Sequence, residues 1–164
     1  MQNLSFYFIK QIIIDEKKTR QEKFVLFTSK VQSNKFSECS IIFMDGTFKC
    51  CPKSYYPLYN IMGKEKNISL IIPLIFILMS HKSYDIYYYV FKFIKAIIKK
   101  QGLKLDLKNT VFMLDFEKSS RKALKDIFSE FNILGCYFEY VKALWSKDKK
   151  EGLTKNIFYL MHIY

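Results

Sequence analysis

From Ile41 onward the chain is a succession of apolar runs separated by short polar segments. The length and period of each run indicate its element. Ile41–Cys50 predicts a strand. Pro52-Lys53-Ser54 is a turn signal, and Tyr55–Met62 predicts a second strand. Gly63-Lys64-Glu65-Lys66-Asn67 reads as a polar hairpin loop. Ile68–Met79 predicts a third strand, with Pro73 near its start or at a bulge. Turns this short favour an antiparallel meander.

The period then changes. Over Ser83–Lys100, Ile86, Val90, Phe93, Ile94, Ile97 and Ile98 recur at helical spacing. Ser83 suits an N-cap, Asp85 the first turn and Gly102 the stop. Thr110–Leu114 predicts a fourth strand ending at Asp115. Glu117–Phe131 predicts a helix that packs Ala123, Leu124, Ile127 and Phe128. Ile133–Cys136 predicts a short fifth strand. Phe138–Lys150 predicts a last helix that buries Val141, Leu144 and Trp145, closed by Gly152. Residues 1–40 are less legible. Ser5–Ile14 suits a short helix or strand, Phe24–Thr28 a strand, and Ser29–Ser40 a connection. The aromatic run Tyr87-Tyr88-Tyr89, with Phe91 and Phe93, reads as helix packing rather than a base-stacking platform.

Three strands, then helix, strand, helix, strand, helix is the ribonuclease-H-like order. It predicts an α/β fold with a mixed five-stranded sheet flanked by helices. In such a sheet the first strand is central, and the fourth lies parallel beside it after a right-handed crossover. Two of these apolar runs each deliver one carboxylate: Phe43-Met44-Asp45-Gly46-Thr47 and Met113-Leu114-Asp115-Phe116-Glu117. A strand that presents an acid from a buried sheet is costly unless that acid is paired or binds a cation. Side by side, Asp45 and Asp115 would offer two carboxylates to one divalent metal. The structural alternatives are a turn cap at Gly46 for Asp45 and a helix N-cap for Asp115.

Composition narrows the class. The 164 residues are half hydrophobic and 18% aromatic, enough for one domain with a substantial core. Lys and Arg number 27 against 15 Asp and Glu, a net charge of +12 spread along the chain. That excess fits either a solvated lysine-rich surface or attraction to nucleic acid. Lys118, Arg121, Lys122 and Lys125 share a helix face that is either solvated or set against phosphates. Cys39, Cys50, Cys51 and Cys136 form no CxxC pair, and adjacent Cys50 and Cys51 would point to opposite faces of a strand. His81 and His162 lack spacing partners. Met1–Ile14 has no basic leader or cleavage site, which implies an intracellular, unsecreted protein, nuclear if eukaryotic. The 13-residue apolar run Ile68–Ser80 is shorter than the roughly 20 needed to span a bilayer as a helix, so no membrane partner is expected.

The details of these motifs resemble the catalytic domain of Mutator-like element (MULE) transposases. The carrying residues are Asp45-Gly46-Thr47-Phe48, Tyr56-Pro57-Leu58-Tyr59, Ile72-Pro73-Leu74-Ile75-Phe76 and Ser83-Tyr84-Asp85-Ile86-Tyr87. They continue through Asp115-Phe116-Glu117-Lys118-Ser119 and Gly135-Cys136-Tyr137-Phe138 to Leu144-Trp145 and Gly152-Leu153. The similarity covers roughly residues 40–153. It implies a domain over residues 41–153, preceded by an extension at 1–40 and followed by an apolar tail at 154–164 of a C-terminally incomplete domain.

The resemblance also implies acidic-triad DNA cleavage and strand transfer with two Mg²⁺ or Mn²⁺ ions. Asp45 is then the first and Asp115 the second metal-binding catalytic carboxylate, and transposon-end DNA is the partner. Two departures stand out. The family's Cys-x-x-His is here Cys136-Tyr137-Phe138-Glu139, which makes Cys136 a core thiol rather than a ligand. The family's third acid, a glutamate on a later helix, has no counterpart, and Glu139 and Glu151 are only stand-ins. Glu117 reads as a first-turn acid favoured by the helix dipole. The expectation is a transposon-derived domain with little activity alone, completed by an oligomer or a further segment. The alternative is a non-catalytic DNA-binding or protein-interaction module.

Overall fold

A computed structural model describes residues 6–13, 22–47, 51–52, 54–68, 70–106 and 109–151. Seven strands form one mixed sheet: β1 (Phe6–Ile13), β2 (Glu22–Ser29), β3 (Cys39–Thr47), β4 (Leu58–Glu65), β5 (Ile71–Met79), β6 (Val111–Leu114) and β7 (Asn132–Gly135). Their order across the sheet is β1-β2-β5-β4-β3-β6-β7. The helices are α1 (Lys30–Asn34), α2 (Tyr84–Lys100), α3 (Lys118–Ile127) and α4 (Tyr137–Glu151), with a 3₁₀ turn at Lys35–Glu38. The expected α/β class, the meander and the parallel pairing of β6 beside β3 are all present.

The sheet has seven strands rather than five because β2 pairs antiparallel with β5 and carries β1 on its outer edge. Phe24 and Leu26 of β2 are fully buried in the same core as the meander. The stretch expected as a connection after Ser29 is mostly α1 and the 3₁₀ turn. Ser29 caps α1 in a reciprocal capping box: its Oγ accepts from the Gln32 amide, and the Gln32 side chain accepts from the Ser29 amide. The Ser-x-x-Gln spelling of that box is a start signal visible in the sequence.

Strand β4 lies three residues later than expected. The turn after Pro52 runs through Tyr55, whose amide donates to the Pro52 carbonyl. At the other end, Gly63 belongs to the strand and not to the loop. A Cβ there would collide with the Cys39 Sγ and the Leu74 side chain, so glycine permits close packing rather than a turn. Pro73 sits beside a β-bulge: Ile61 pairs with Ile75 and Met62 with Pro73, leaving Leu74 as the extra residue.

Helix α2 follows its local signals. The Ser83 Oγ accepts from the Ile86 amide, and Gly102 ends the helix at φ +68°. Besides the expected apolar face, α2 buries Tyr87 and Phe91, which meet Tyr59 of β4 edge-on at 5.2 and 6.5 Å between ring centroids. The tyrosine run is therefore packing, as expected. Helix α3 stops at Ile127, earlier than expected, because Phe128 and Phe131 fold back onto Phe112 of β6.

Helix α4 departs from expectation. Leu144 is 42% exposed and Val141 and Trp145 are half-buried, so the face expected in the core is not buried there. The 154–164 tail, Gly152, Cys50 and His162 lie outside the described residues. Among the described residues, no helix is long and apolar enough to cross a membrane.

Candidate functional site

Strands β3 and β6 run parallel in register from Ile41↔Val111 to Met44↔Leu114. Ile42, Met44, Phe112 and Leu114 are buried. Side chains alternate along a strand, so the residues just past Met44 and Leu114 leave from the opposite face at the same level. Those residues are Asp45 and Asp115. Asp45 is exposed and Asp115 half-buried. Asp115 is pushed up to about 6 by partial burial first, then by the charges of Asp45 and Glu139. A hydrogen bond with Asp45 adds to the rise, and Lys82 opposes it.

Three polar side chains lie near the pair. Asn60 of β4 lies directly opposite Asp45. Its Nδ2 donates to the Thr47 Oγ1 at 3.2 Å, while its buried Oδ1 has no hydrogen-bond partner among the described residues. Glu117 accepts from the Tyr87 hydroxyl at 3.2 Å and pairs with the Lys82 Nζ at 3.1 Å. The Tyr59 hydroxyl shares a 2.9 Å hydrogen bond with the Ser120 Oγ. Burial, with the nearby acids adding, pushes both the Tyr59 and Tyr87 phenols up, so each keeps its proton.

Asp115 is not the N-cap of α3. That position is Glu117, whose side chain makes no capping bond and turns instead to Tyr87 and Lys82. Glu139, where the resemblance would have a histidine, lies in the first turn of α4 and bonds the Lys142 Nζ at 3.2 Å. Its charge reaches Asp115. Charge acts over longer distances than ligation. Among the described residues, no three His, Cys, Asp or Glu side chains converge to hold a metal ion. Cys136 is a half-buried free thiol, and its amide donates to the Leu114 carbonyl at 3.0 Å. The His81 Nδ1 meets the Ser80 Oγ at 3.1 Å.

The expected basic face divides. Lys118, Lys122 and Lys125 are exposed, with the Lys122 Nζ 5.0 Å above the Tyr84 ring. Arg121 is half-buried, lies 5.5 Å over the Phe116 ring, and has a buried Nη1 with no hydrogen-bond partner among the described residues. A cavity of about 440 Å³ lies between the end of α2 and Phe128–Phe131, and neither aspartate lines it. The acid pair sits outside that hollow, so its chemistry and not its depth marks it as the candidate site. Sequence reasoning missed Asn60, Glu117, Lys82 and Tyr87 as neighbours of the pair. Asn60 is level with Asp45 only through the β3–β4 register, which no local pattern reports.

A family model described as the MULE transposase domain matches residues 41–143, more than half of the chain, and spans both aspartates. No curated protein and no solved structure matches the chain.

Proposed function

The chain belongs to the family of MULE transposase domains, and from that premise we propose that Asp45 and Asp115 are metal-binding carboxylates of a DNA-cleaving site. The observation that carries the proposal is the register placing both acids at one level of two parallel strands. The donor set fits a hard divalent cation, Mg²⁺ or Mn²⁺. The charge of Asp45 adds to the cost of ionising Asp115, a cost that a cation between the two carboxylates would offset. Such a cation, when bound, would polarise a scissile phosphodiester and favour an oxygen nucleophile.

The protein's own part is to hold and orient. Strands β3 and β6 fix the two carboxylates from a rigid sheet, and Asp115 gives up its proton when a cation is held. Glu117, pinned by Tyr87 and Lys82, keeps Lys82 beside the pair, where its charge favours the ionised Asp115. With no third carboxylate converging among the described residues, the expected behaviour is weak metal binding and little cleavage by this chain alone.

The test is Mn²⁺ titration calorimetry on wild type and on Asp45→Asn/Asp115→Asn. Binding by wild type only supports the proposal, whereas equal binding or none removes it. A second reading, a DNA-binding module without chemistry, is favoured by the exposed Lys118, Lys122 and Lys125 on one helix face. It predicts salt-sensitive duplex binding that survives the double substitution.

A further inference from the structure

Four large aromatic side chains are exposed on the segments that follow β6 and β7. Tyr137 is 76% exposed, Phe138 69%, Phe116 52% and Tyr140 51%. Three lie in the first turn of α4, and the fourth directly follows Asp115. The Phe116 and Tyr140 rings are 6.3 Å apart, and Tyr137 and Tyr140 are neighbours at helical spacing. Apolar surface gathered in this way is unfavourable in water and marks a contact surface.

Cations stand over two of these rings, among the carboxylates of Asp115, Glu117 and Glu139. Arg121 lies 5.5 Å over Phe116, and the Lys142 Nζ is 6.0 Å from the Phe138 ring centroid. Phe116 is also held in place. Its ring fills the space that a side chain at Gly135 would need, so glycine there lets the ring lie on the backbone of β7. A fixed, exposed ring with a guanidinium over it is the kind of surface on which a nucleobase stacks while its phosphate meets the cation.

We infer that Phe116, Tyr137, Phe138 and Tyr140 form a stacking band for unpaired nucleotides of a DNA strand whose backbone passes the Asp45–Asp115 pair. The inference rests on reading that pair as facing DNA. It adds that the strand is held there single, since bases inside a duplex are stacked on each other and cannot also lie on protein rings. Duplex DNA is left to the lysines, which meet phosphates without regard to base pairing.

The experiment measures fluorescence anisotropy of a short labelled single strand and of its duplex, with the full 164-residue chain, at fixed salt and with EDTA present. The single strand should bind more tightly than the duplex. Tyr137→Ala/Phe138→Ala, at two largely exposed positions, should weaken single-strand binding about tenfold or more and change duplex binding less than about twofold. Tyr137→Trp/Phe138→Trp should restore it, and 2-aminopurine in the strand should lose fluorescence on binding wild type but not the alanine variant. Equal losses on both DNAs, or no loss, would overturn the inference. So would a change of oligomeric state on alanine substitution with DNA binding intact, which would make the band a protein interface. EDTA separates this test from that of the acid pair. Asp45→Asn/Asp115→Asn should keep the single-strand preference, and failure of Mn²⁺ binding with that preference intact removes only the metal proposal.

Discussion

Asp45 and Asp115 stand one residue beyond the paired Met44 and Leu114 on adjacent parallel strands, and the register brings together two carboxylates from distant parts of the chain, so that the charge of Asp45 bears on Asp115. Neither acid is unusual alone. Partial burial first, and then the charges of Asp45 and Glu139, make the Asp115 carboxyl reluctant to ionise. That reluctance has measurable consequences.

The first is a pH-dependent cost. The folded protein holds the Asp115 proton up to about pH 6, and the unfolded chain only to about 3.8. Between these values the native state binds more protons, so stability falls as pH rises through the window and stays reduced above it. Asp115→Asn removes that loss. Because the group is partly solvated, the gain should be about 1 kcal/mol near pH 8 and vanish near pH 4. Urea melts of both proteins at the two pH values would show it, and an equal effect at both would refute the coupling.

Metal binding should carry the mirror image of the same titration. A cation requires both carboxylates ionised, so Mn²⁺ affinity should be flat above pH 6 and fall about tenfold per pH unit below it. Calorimetry in buffers of different ionisation enthalpy should also show proton release near pH 6. Affinity independent of pH would place the ion elsewhere.

Glu117 offers a test of the surrounding network. It accepts from the buried Tyr87 hydroxyl and pairs with Lys82. Glu117→Gln keeps an acceptor for Tyr87, whereas Glu117→Ala leaves that hydroxyl without one. The alanine variant should be less stable than the glutamine variant by about 1–3 kcal/mol in denaturant unfolding. Equal stabilities would mean that the Tyr87 bond contributes nothing.

Gly63 tests the reassigned end of β4. A methyl group there meets Cys39 and Leu74 in the core, so Gly63→Ala should cost about 1–3 kcal/mol. If residue 63 lay in a solvated hairpin loop, alanine would be neutral or slightly stabilising. Adding Cys39→Ala should recover part of the loss, because it removes one of the two obstructing side chains.

Elements with local signals were legible in the sequence. Helix α2 was, because Ser83, the apolar period and Gly102 each act within a turn or two of their own position. So were β3 and β6 with their terminal acids, and Pro73 at a bulge, because a missing amide constrains its own strand. The family was legible from short motifs in fixed order. Tertiary structure decided the rest. Strand β2 joins the sheet because β5 offers it an edge, and β1 follows on β2, which nothing within residues 1–40 announces. Asn60 faces Asp45, and Asp115 stands level with it, through pairings between distant segments. Leu144 and Tyr140 follow a helical period, yet they remain exposed. A period tells which residues share a face, but only the positions of the other elements decide whether that face is covered.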